Sequence, residues 1–218
     1  MKKHNQPSPY YPIFLAIKGR RCVVIGGGQV ALRKVRALLE HEASIQVISP
    51  DLCSKLNQLA KNGEIHILNR GYRVGDLKNA FIAIVATNDS KANLEVVQEA
   101  QRTGVMVNVV DNAEKSDFIV PSCVRRGDVT IAISTAGRSP SLARKLRTRF
   151  EKEFGEEYSS LALLIDEVRA EVKKQKINVN GDAWQEALDL DLLSGLLRRG
   201  GKEKAKVILL NKLKTRQK

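Results

Sequence analysis

The feature that most constrains this chain is an apolar run that ends in three glycines. Cys22-Val23-Val24-Ile25 is typical of a short buried strand, and Gly26-Gly27-Gly28 follows it directly. From residue 29 onward, apolar residues recur at the spacing of an amphipathic helix. A strand, a glycine turn and a helix in this order indicate the first unit of a nucleotide-binding α/β fold.

The glycine turn fits the motif G-x-G-x-x-A through Gly26, Gly28 and Ala31. The first glycine allows the tight turn, the second lets the backbone approach a pyrophosphate, and the small third residue lets helix and strand pack closely. The start of the helix then offers N–H groups to the phosphates. We expect these three residues, with Gln29 and Val30, to contact a dinucleotide. The alternative is a glycine-rich turn that binds nothing.

Strands and helices alternate up to about residue 110, which predicts a Rossmann-like, doubly wound parallel sheet. The strands are expected at Pro12–Ile17, Cys22–Ile25, Ile45–Ile48, Ile65–Leu68, Phe81–Ala86 and Val105–Val110, and the helices at 31–42, 52–62 and 91–103.

The pattern changes after residue 113. Asp117–Val124 and Asp128–Ser134 are typical of two strands in a hairpin. Ser139 has the side chain of an N-cap, and Pro140 suits the first helical position of the helix that follows. From residue 156 onward the chain is predicted to be helical. We therefore expect three parts, 1–113, 114–154 and 155–218.

The composition limits which kinds of partner and which cellular compartment suit this chain. The formal net charge of +13 suits a nucleic acid, an anionic lipid or an anionic small molecule. We expect no membrane span and no signal peptide, since the chain has neither a run of about 18 apolar residues nor an apolar N-terminal segment. Cys22, Cys53 and Cys123 are scattered without a C-x-x-C motif, which favours a reducing cytoplasm and no resident metal site.

Other polar residues follow the predicted strands, where parallel sheets bind their ligands. Ser49 stands where an acidic residue usually holds the ribose, and Asp51 comes two residues later, so either could reach it. No arginine stands there to receive a 2′-phosphate, which favours NAD over NADP. Thr87-Asn88-Asp89 either contacts the cofactor or forms a plain turn and N-cap.

Asp111 ends the last strand of the predicted sheet. We expect its carboxylate to be partly removed from water and to act as a general base. The alternative is a turn-forming residue at the start of a loop. The histidines do not compete for this role, because His4 lies near the N-terminus, His41 ends a helix and His66 lies within a strand.

Five motifs together resemble the precorrin-2 dehydrogenase family, the dehydrogenase–ferrochelatase module of siroheme synthase. The similarity runs in order from about Tyr11 to Phe150. The motifs are Gly26-Gly27-Gly28-Gln29-Val30-Ala31-Leu32-Arg33-Lys34, Val85-Ala86-Thr87-Asn88-Asp89, Asn108-Val109-Val110-Asp111, Asp117-Phe118-Ile119-Val120-Pro121-Ser122 and Ser134-Thr135-Ala136-Gly137-Arg138-Ser139-Pro140.

The resemblance implies NAD-dependent oxidation of precorrin-2 to sirohydrochlorin by a cytoplasmic homodimer. The essential carboxylate of the family falls on Asp111, and Ser122, Arg138 and Ser139 fall in the substrate-binding part. The segment 114–154 would then form much of the dimer contact. Some members also insert ferrous iron, as a substrate, to give siroheme. Because the substrate carries acetate and propionate groups, the basic segment from Arg125 to Arg149 suits it.

Two other functions stay open at this point. One is an NAD-linked dehydrogenase of another small acid, which would leave the hairpin unexplained. The other is an NAD(H)-sensing regulator whose basic C-terminal helices bind nucleic acid. The sequence has no helix-turn-helix signature and only 5% aromatic residues. We therefore expect neither a nucleic-acid nor a membrane partner.

Overall fold

The computed structural model describes residues 10–215, so His4 lies outside the described residues. They fall into two compact units, one up to Val120 and one from Pro121 onward. Within the described residues, no helix has the length and apolar character needed to cross a membrane.

The first unit contains the predicted parallel sheet. Its strands are β1 (Arg21–Ile25), β2 (Ser44–Ile48), β3 (His66–Leu68), β4 (Ile82–Val85) and β5 (Met106–Val109), and its helices are α1 (Gln29–Leu39), α2 (Ser54–Lys61) and α3 (Ser90–Thr103). The strand order is β3-β2-β1-β4-β5, and all pairs are parallel. From β1 the chain adds β2 and β3 on one side, and then β4 and β5 on the other side. Doubly wound folds bind their ligands at the point where this order reverses, which here lies between β1 and β4.

Both faces of the sheet are covered, which explains why its strands are apolar throughout. On one face, Cys22 and Val24 pack with α1 and with Leu56 of α2. On the other face, Val23 and Ile25 pack with α3. Alternate residues of β1 thus belong to different cores.

The prediction of a strand at Pro12–Ile17 is wrong. No strand forms there, and Ile13 and Phe14 are exposed. The two sides of β1 are occupied by β2 and β4, so this run finds no free neighbour inside the sheet. Apolar content alone therefore did not specify a strand.

The outer edge of β5 is covered by side chains of the segment 112–118. Asp117 accepts a 2.8 Å hydrogen bond from the N–H of Val107 through its carboxylate and donates its own N–H to the Val107 carbonyl. The Ser116 hydroxyl accepts from the N–H of Val109 at 2.9 Å. Because Asp117 is held on this edge, the predicted strand 117–124 is wrong at its start. The strand begins at Ser122.

The second unit begins with the predicted antiparallel hairpin, β6 (Ser122–Arg126) and β7 (Val129–Ile133). Helices α4 (Pro140–Glu153), α5 (Glu157–Lys174), α6 (Gly181–Ala187), α7 (Leu190–Arg198) and α8 (Lys202–Lys214) follow. Their core contains Leu164, Leu193 and Leu209, each 1% exposed or less. The two units divide between Val120 and Pro121, and the division at residues 113 and 154 stays a prediction.

Candidate cofactor and catalytic site

The first glycine of the turn is required by the neighbouring strand. Gly26 has a φ of 120°, and a Cβ placed on it would overlap the carbonyl oxygen of Ala86. Its N–H donates to the Ile48 carbonyl at 2.9 Å. Only glycine combines this backbone conformation with this contact. The turn is thereby fixed between the ends of β2 and β4.

The second glycine fastens the loop after β2 to the turn. A Cβ on Gly27 would overlap the carbonyl oxygen of Asp51, and the Gly27 carbonyl accepts from the N–H of Cys53 at 2.9 Å. The buried Ser49 hydroxyl donates to the same Asp51 carbonyl at 2.7 Å. The predicted motif treats this glycine as a variable position, so sequence reasoning missed its packing role.

The third glycine is the one that leaves space for a ligand. A Cβ on Gly28 would have no atom within 4 Å. Gly28 is the N-cap of α1, no side chain caps this helix end, and its first turn carries no acidic residue. The first N–H groups of a helix have no partner within it, so they can accept an anion. These residues fit the pyrophosphate of a dinucleotide.

The rest of the motif divides between the surface and the core. Gln29 and Val30 are exposed at the start of α1, whereas Ala31 is fully buried against the sheet. A small residue at position 31 lets the helix pack closely on the strands. Direct cofactor contact by these three residues stays a prediction.

The loop after β4 is held by its own side chains. Asp89 is the N-cap of α3, and its carboxylate accepts from the N–H groups of Lys91 at 2.9 Å and Ala92 at 3.1 Å. Asn93 donates its amide to the Thr87 carbonyl at 3.2 Å. The N-cap interpretation therefore holds for Asp89. Thr87 is half-buried and Asn88 is exposed, and contacts of this loop with a cofactor stay predictions.

Asp111 lies in a tight turn at the end of β5. Its φ is 59°, a conformation that aspartate tolerates better than most residues. The N–H of Asn112 donates to the Val109 carbonyl at 3.1 Å, and the Ser116 hydroxyl donates to the Asn112 carbonyl at 2.7 Å. The expectation of a partly desolvated carboxylate is wrong for the single chain, because this turn leaves Asp111 exposed.

The predicted residues of the first unit follow strands that end at one edge of the sheet. Ile25 is paired with both Ile48 and Val85, so the glycine turn, Ser49 and Thr87 leave their strands at the same level. Val85 is paired with Val109, which places Asp111 beyond that level. The sheet therefore brings the glycine turn, the loop at 49–51, the loop at 87–89 and Asp111 to its carboxyl edge.

A protein-family model described as "Putative NAD(P)-binding" matches residues 13–122. This match spans half of the chain. The chain belongs to this NAD(P)-binding family. A second model, "Sirohaem biosynthesis protein central", matches residues 126–153.

Relatives of this NAD(P)-binding protein are siroheme synthases. The protein is 36% identical to "Siroheme synthase" of Pseudoalteromonas atlantica over 94% of the chain and 44% of that relative. It is 40% identical to "Siroheme synthase" of Stutzerimonas stutzeri over 78% of the chain and 37% of that relative. The chain thus spans less than half the length of these curated relatives.

A solved structure supports the fold of this NAD(P)-binding protein. The structure described as "SirC, precorrin-2 dehydrogenase" aligns with 94% of the chain and 100% of its own, with a TM-score of 0.70 and 24% identity. The fold of this chain, a Rossmann-like sheet followed by a hairpin and helices, is therefore one seen in another protein.

The predicted substrate residues of this NAD(P)-binding protein lie in the second unit. Ser122 is the half-buried first residue of β6, and Arg138 is exposed in the loop before α4. The Ser139 hydroxyl accepts from the N–H of Leu142 at 3.2 Å, which confirms it as the N-cap of α4. Substrate contact by these three residues stays a prediction. Within residues 10–215, no three histidine, cysteine or acidic side chains cluster as metal ligands.

Proposed function

We propose that this protein oxidises precorrin-2 to sirohydrochlorin with NAD as the hydride acceptor, in siroheme biosynthesis. The observation that carries this proposal is a nucleotide-binding sheet edge that also bears Asp111, in a chain whose relatives are siroheme synthases. The name printed for the similar solved structure, a precorrin-2 dehydrogenase, supports the same substrate.

In the proposed mechanism the chain binds NAD and the macrocycle, orients them for reaction and accepts a proton. The first N–H groups of α1 hold the pyrophosphate beside Gly28. NAD bound there would supply its nicotinamide ring as the hydride acceptor. The Asp111 carboxylate takes the proton that leaves the macrocycle in the same oxidation. The macrocycle thus loses two electrons and two hydrogens, which leave as the hydride and the proton.

The basic residues of α4 and of the loop before it favour a substrate that carries several carboxylates. Arg147 and Arg149 form salt bridges at 2.9 Å with Glu151 and Glu153. Among the described side chains, no salt bridge engages Arg138, Arg144 or Lys145. These three cations are the proposed partners of the acetate and propionate groups, because arginine pairs well with carboxylates.

The decisive experiment supplies precorrin-2 made in situ, with NAD, under anaerobic conditions. Formation of sirohydrochlorin and NADH in equal amounts is the expected result. Binding of NAD with neither product would overturn the dehydrogenase and leave a nucleotide sensor. Running the assay with NADP tests the preference, and we expect NAD to be the better acceptor.

The role of Asp111 is tested by Asp111→Ala in the same assay. Oxidation should fall by at least about 100-fold, since general bases contribute this much to rate. The Kd for NAD should change little, because the phosphate-binding turn is untouched. Oxidation at the wild-type rate would show that another group takes the proton.

Two finer parts of the proposal need separate measurements. Ferrous iron added to sirohydrochlorin should give siroheme faster with the protein than without it. If the two rates agree, the protein is a dehydrogenase alone.

Sedimentation should give twice the 24.2 kDa chain mass for the proposed homodimer, and a 24.2 kDa species at working concentration would exclude it. We place the protein in the cytoplasm because its relatives are biosynthetic enzymes and its three cysteines are free.

A further inference from the structure

The loop after β2 is packed directly against the glycine turn. The N–H of Cys53 donates to the Gly27 carbonyl at 2.9 Å, and a Cβ on Gly27 would overlap the Asp51 carbonyl oxygen. Glycine at position 27 is what lets the two backbones approach this closely. The backbone of Asp51 is therefore held beside the turn whose next residue, Gly28, starts the proposed phosphate-binding end of α1.

The Ser49 side chain is used to build this loop. It is 7% exposed, and its hydroxyl donates to the Asp51 carbonyl at 2.7 Å. Its oxygen also lies 2.8 Å from the place where a Cβ on Gly27 would stand. A hydroxyl has one proton to donate, and here the Asp51 carbonyl receives it. Ser49 thus shapes the loop and presents little surface to a ligand.

The loop after β3 holds the same backbone from the other side. In the amide orientation that satisfies both of its polar atoms, Asn69 donates to the carbonyls of Ser49 at 3.3 Å and Pro50 at 3.0 Å. The N–H of Ser49 donates to the Leu68 carbonyl at 3.2 Å. The carbonyls of residues 49–51 all accept hydrogen bonds within the protein, so the position of this loop is fixed by the chain itself.

The Asp51 carboxylate is the polar group of this loop that is left for a ligand. Asp51 is exposed, and within residues 10–215 no hydrogen bond or salt bridge engages its carboxylate. Dinucleotide folds place the acidic residue that binds the adenosine ribose at the end of this strand. In this chain the fixed loop supplies such a residue two positions later, beside Gly27.

We propose that the Asp51 carboxylate accepts a hydrogen bond from the adenosine ribose of bound NAD and excludes NADP, whose 2′-phosphate it repels. This inference rests on the proposed function, since it names the residue that sets the cofactor preference of that site. An ionised carboxylate accepts hydrogen bonds strongly and has no proton to offer a phosphate. One side chain therefore favours the hydroxyl and disfavours the phosphate, and both effects add to the selectivity.

Calorimetric titration with NAD and with NADP tests the preference in the full-length protein, without the macrocycle. Asp51→Ala should weaken NAD binding about tenfold, because a charged acceptor is lost. Its affinity for NADP should stay equal or rise, so the ratio of the two Kd values should fall by at least about tenfold. Glu64→Gln removes the same charge from an exposed side chain before β3, at the opposite edge of the sheet, and should leave the ratio within about twofold of wild type.

A double-mutant cycle tests the contact itself. The ligand is an NAD analogue that lacks the 2′-hydroxyl of the adenosine ribose. It should bind the wild-type protein about tenfold more weakly than NAD, whereas Asp51→Ala should bind the two ligands equally well. If removing the hydroxyl cost both proteins the same affinity, Asp51 would not contact it and the inference would fail.

Two further outcomes of the titrations would overturn the inference. One is a Kd ratio that stays at the wild-type value in Asp51→Ala at an unchanged melting temperature. The other is a ratio that falls in Ser49→Ala but not in Asp51→Ala, which would assign the ribose to Ser49. Because these measurements need no turnover, a changed ratio in a protein that forms no sirohydrochlorin would contradict the proposed function alone. Equal binding of NAD and NADP by an active wild-type dehydrogenase would contradict the role of Asp51 alone.

Discussion

The contacts of two neighbouring glycines distinguish a packing role from a ligand-binding role. Gly27 is closed in by the Asp51 carbonyl, and Gly28 faces open space. The motif G-x-G-x-x-A assigns a role to Gly28 and treats Gly27 as a variable position. In the structure Gly27 holds the loop after β2, and Gly28 is left free for a ligand.

This difference predicts opposite effects for two alanine variants. Gly27→Ala should lower the free energy of unfolding by about 1–3 kcal/mol, because the new methyl group overlaps backbone. Gly28→Ala should change it by less than about 1 kcal/mol, because its φ of −85° suits alanine whereas glycine is the better N-cap. Gly28→Ala should nevertheless weaken NAD binding by about tenfold, or ~1.4 kcal/mol. Urea unfolding and calorimetric titration measure the two effects. Equal destabilisation by both variants would contradict the assignment.

At the scale of elements, one partly buried and one buried carboxylate stabilise the connection between β3 and β4. The Asp76 carboxylate pairs with the Arg70 guanidinium at 2.8 Å and accepts from the N–H of Arg73. The Arg70 hydrogen bond is the main reason that the pKa of Asp76 lies below its usual value. Nearby, Glu99 of α3 is 3% exposed and accepts from Tyr72 and from the N–H groups of Gly75 and Leu77.

The lowered pKa of Asp76 gives a prediction for acid stability. A carboxyl with a lower pKa in the folded protein stabilises it above the unfolded-state value of about 3.9, and this contribution is lost as pH falls through the folded-state pKa. Asp76→Asn should therefore be less stable at pH 7 by about 1–2 kcal/mol. The difference should vanish in strong acid, where both proteins carry an uncharged side chain. Parallel stability curves from pH 7 to pH 2 would argue against this role.

At the scale of the whole molecule, the two units have separate cores with separate duties. The cofactor edge belongs entirely to the unit that ends at Val120, and Leu209 belongs to the core of the helices that follow Pro121. We therefore expect changes in the core of the helices to leave NAD binding unchanged.

Hydrogen exchange can follow both units in one experiment. NAD at 100 times its Kd should protect β1, α1 and β4 by about 2.7 kcal/mol. Leu209→Ala should reduce protection of α5, α7 and α8 by about 2–5 kcal/mol, the cost of a large core cavity, and leave the Kd for NAD unchanged. A loss of NAD affinity in Leu209→Ala would show that the second core supports the cofactor site.

The sequence alone determined the features that depend on near neighbours in the chain. Apolar spacing predicted the five strands of the sheet, the hairpin and most helices, and N-cap chemistry predicted Ser139. Tertiary structure decided what depends on distant residues. The Pro12–Ile17 run forms no strand because both sides of β1 are taken, and Asp111 is exposed because its turn extends past the end of β5.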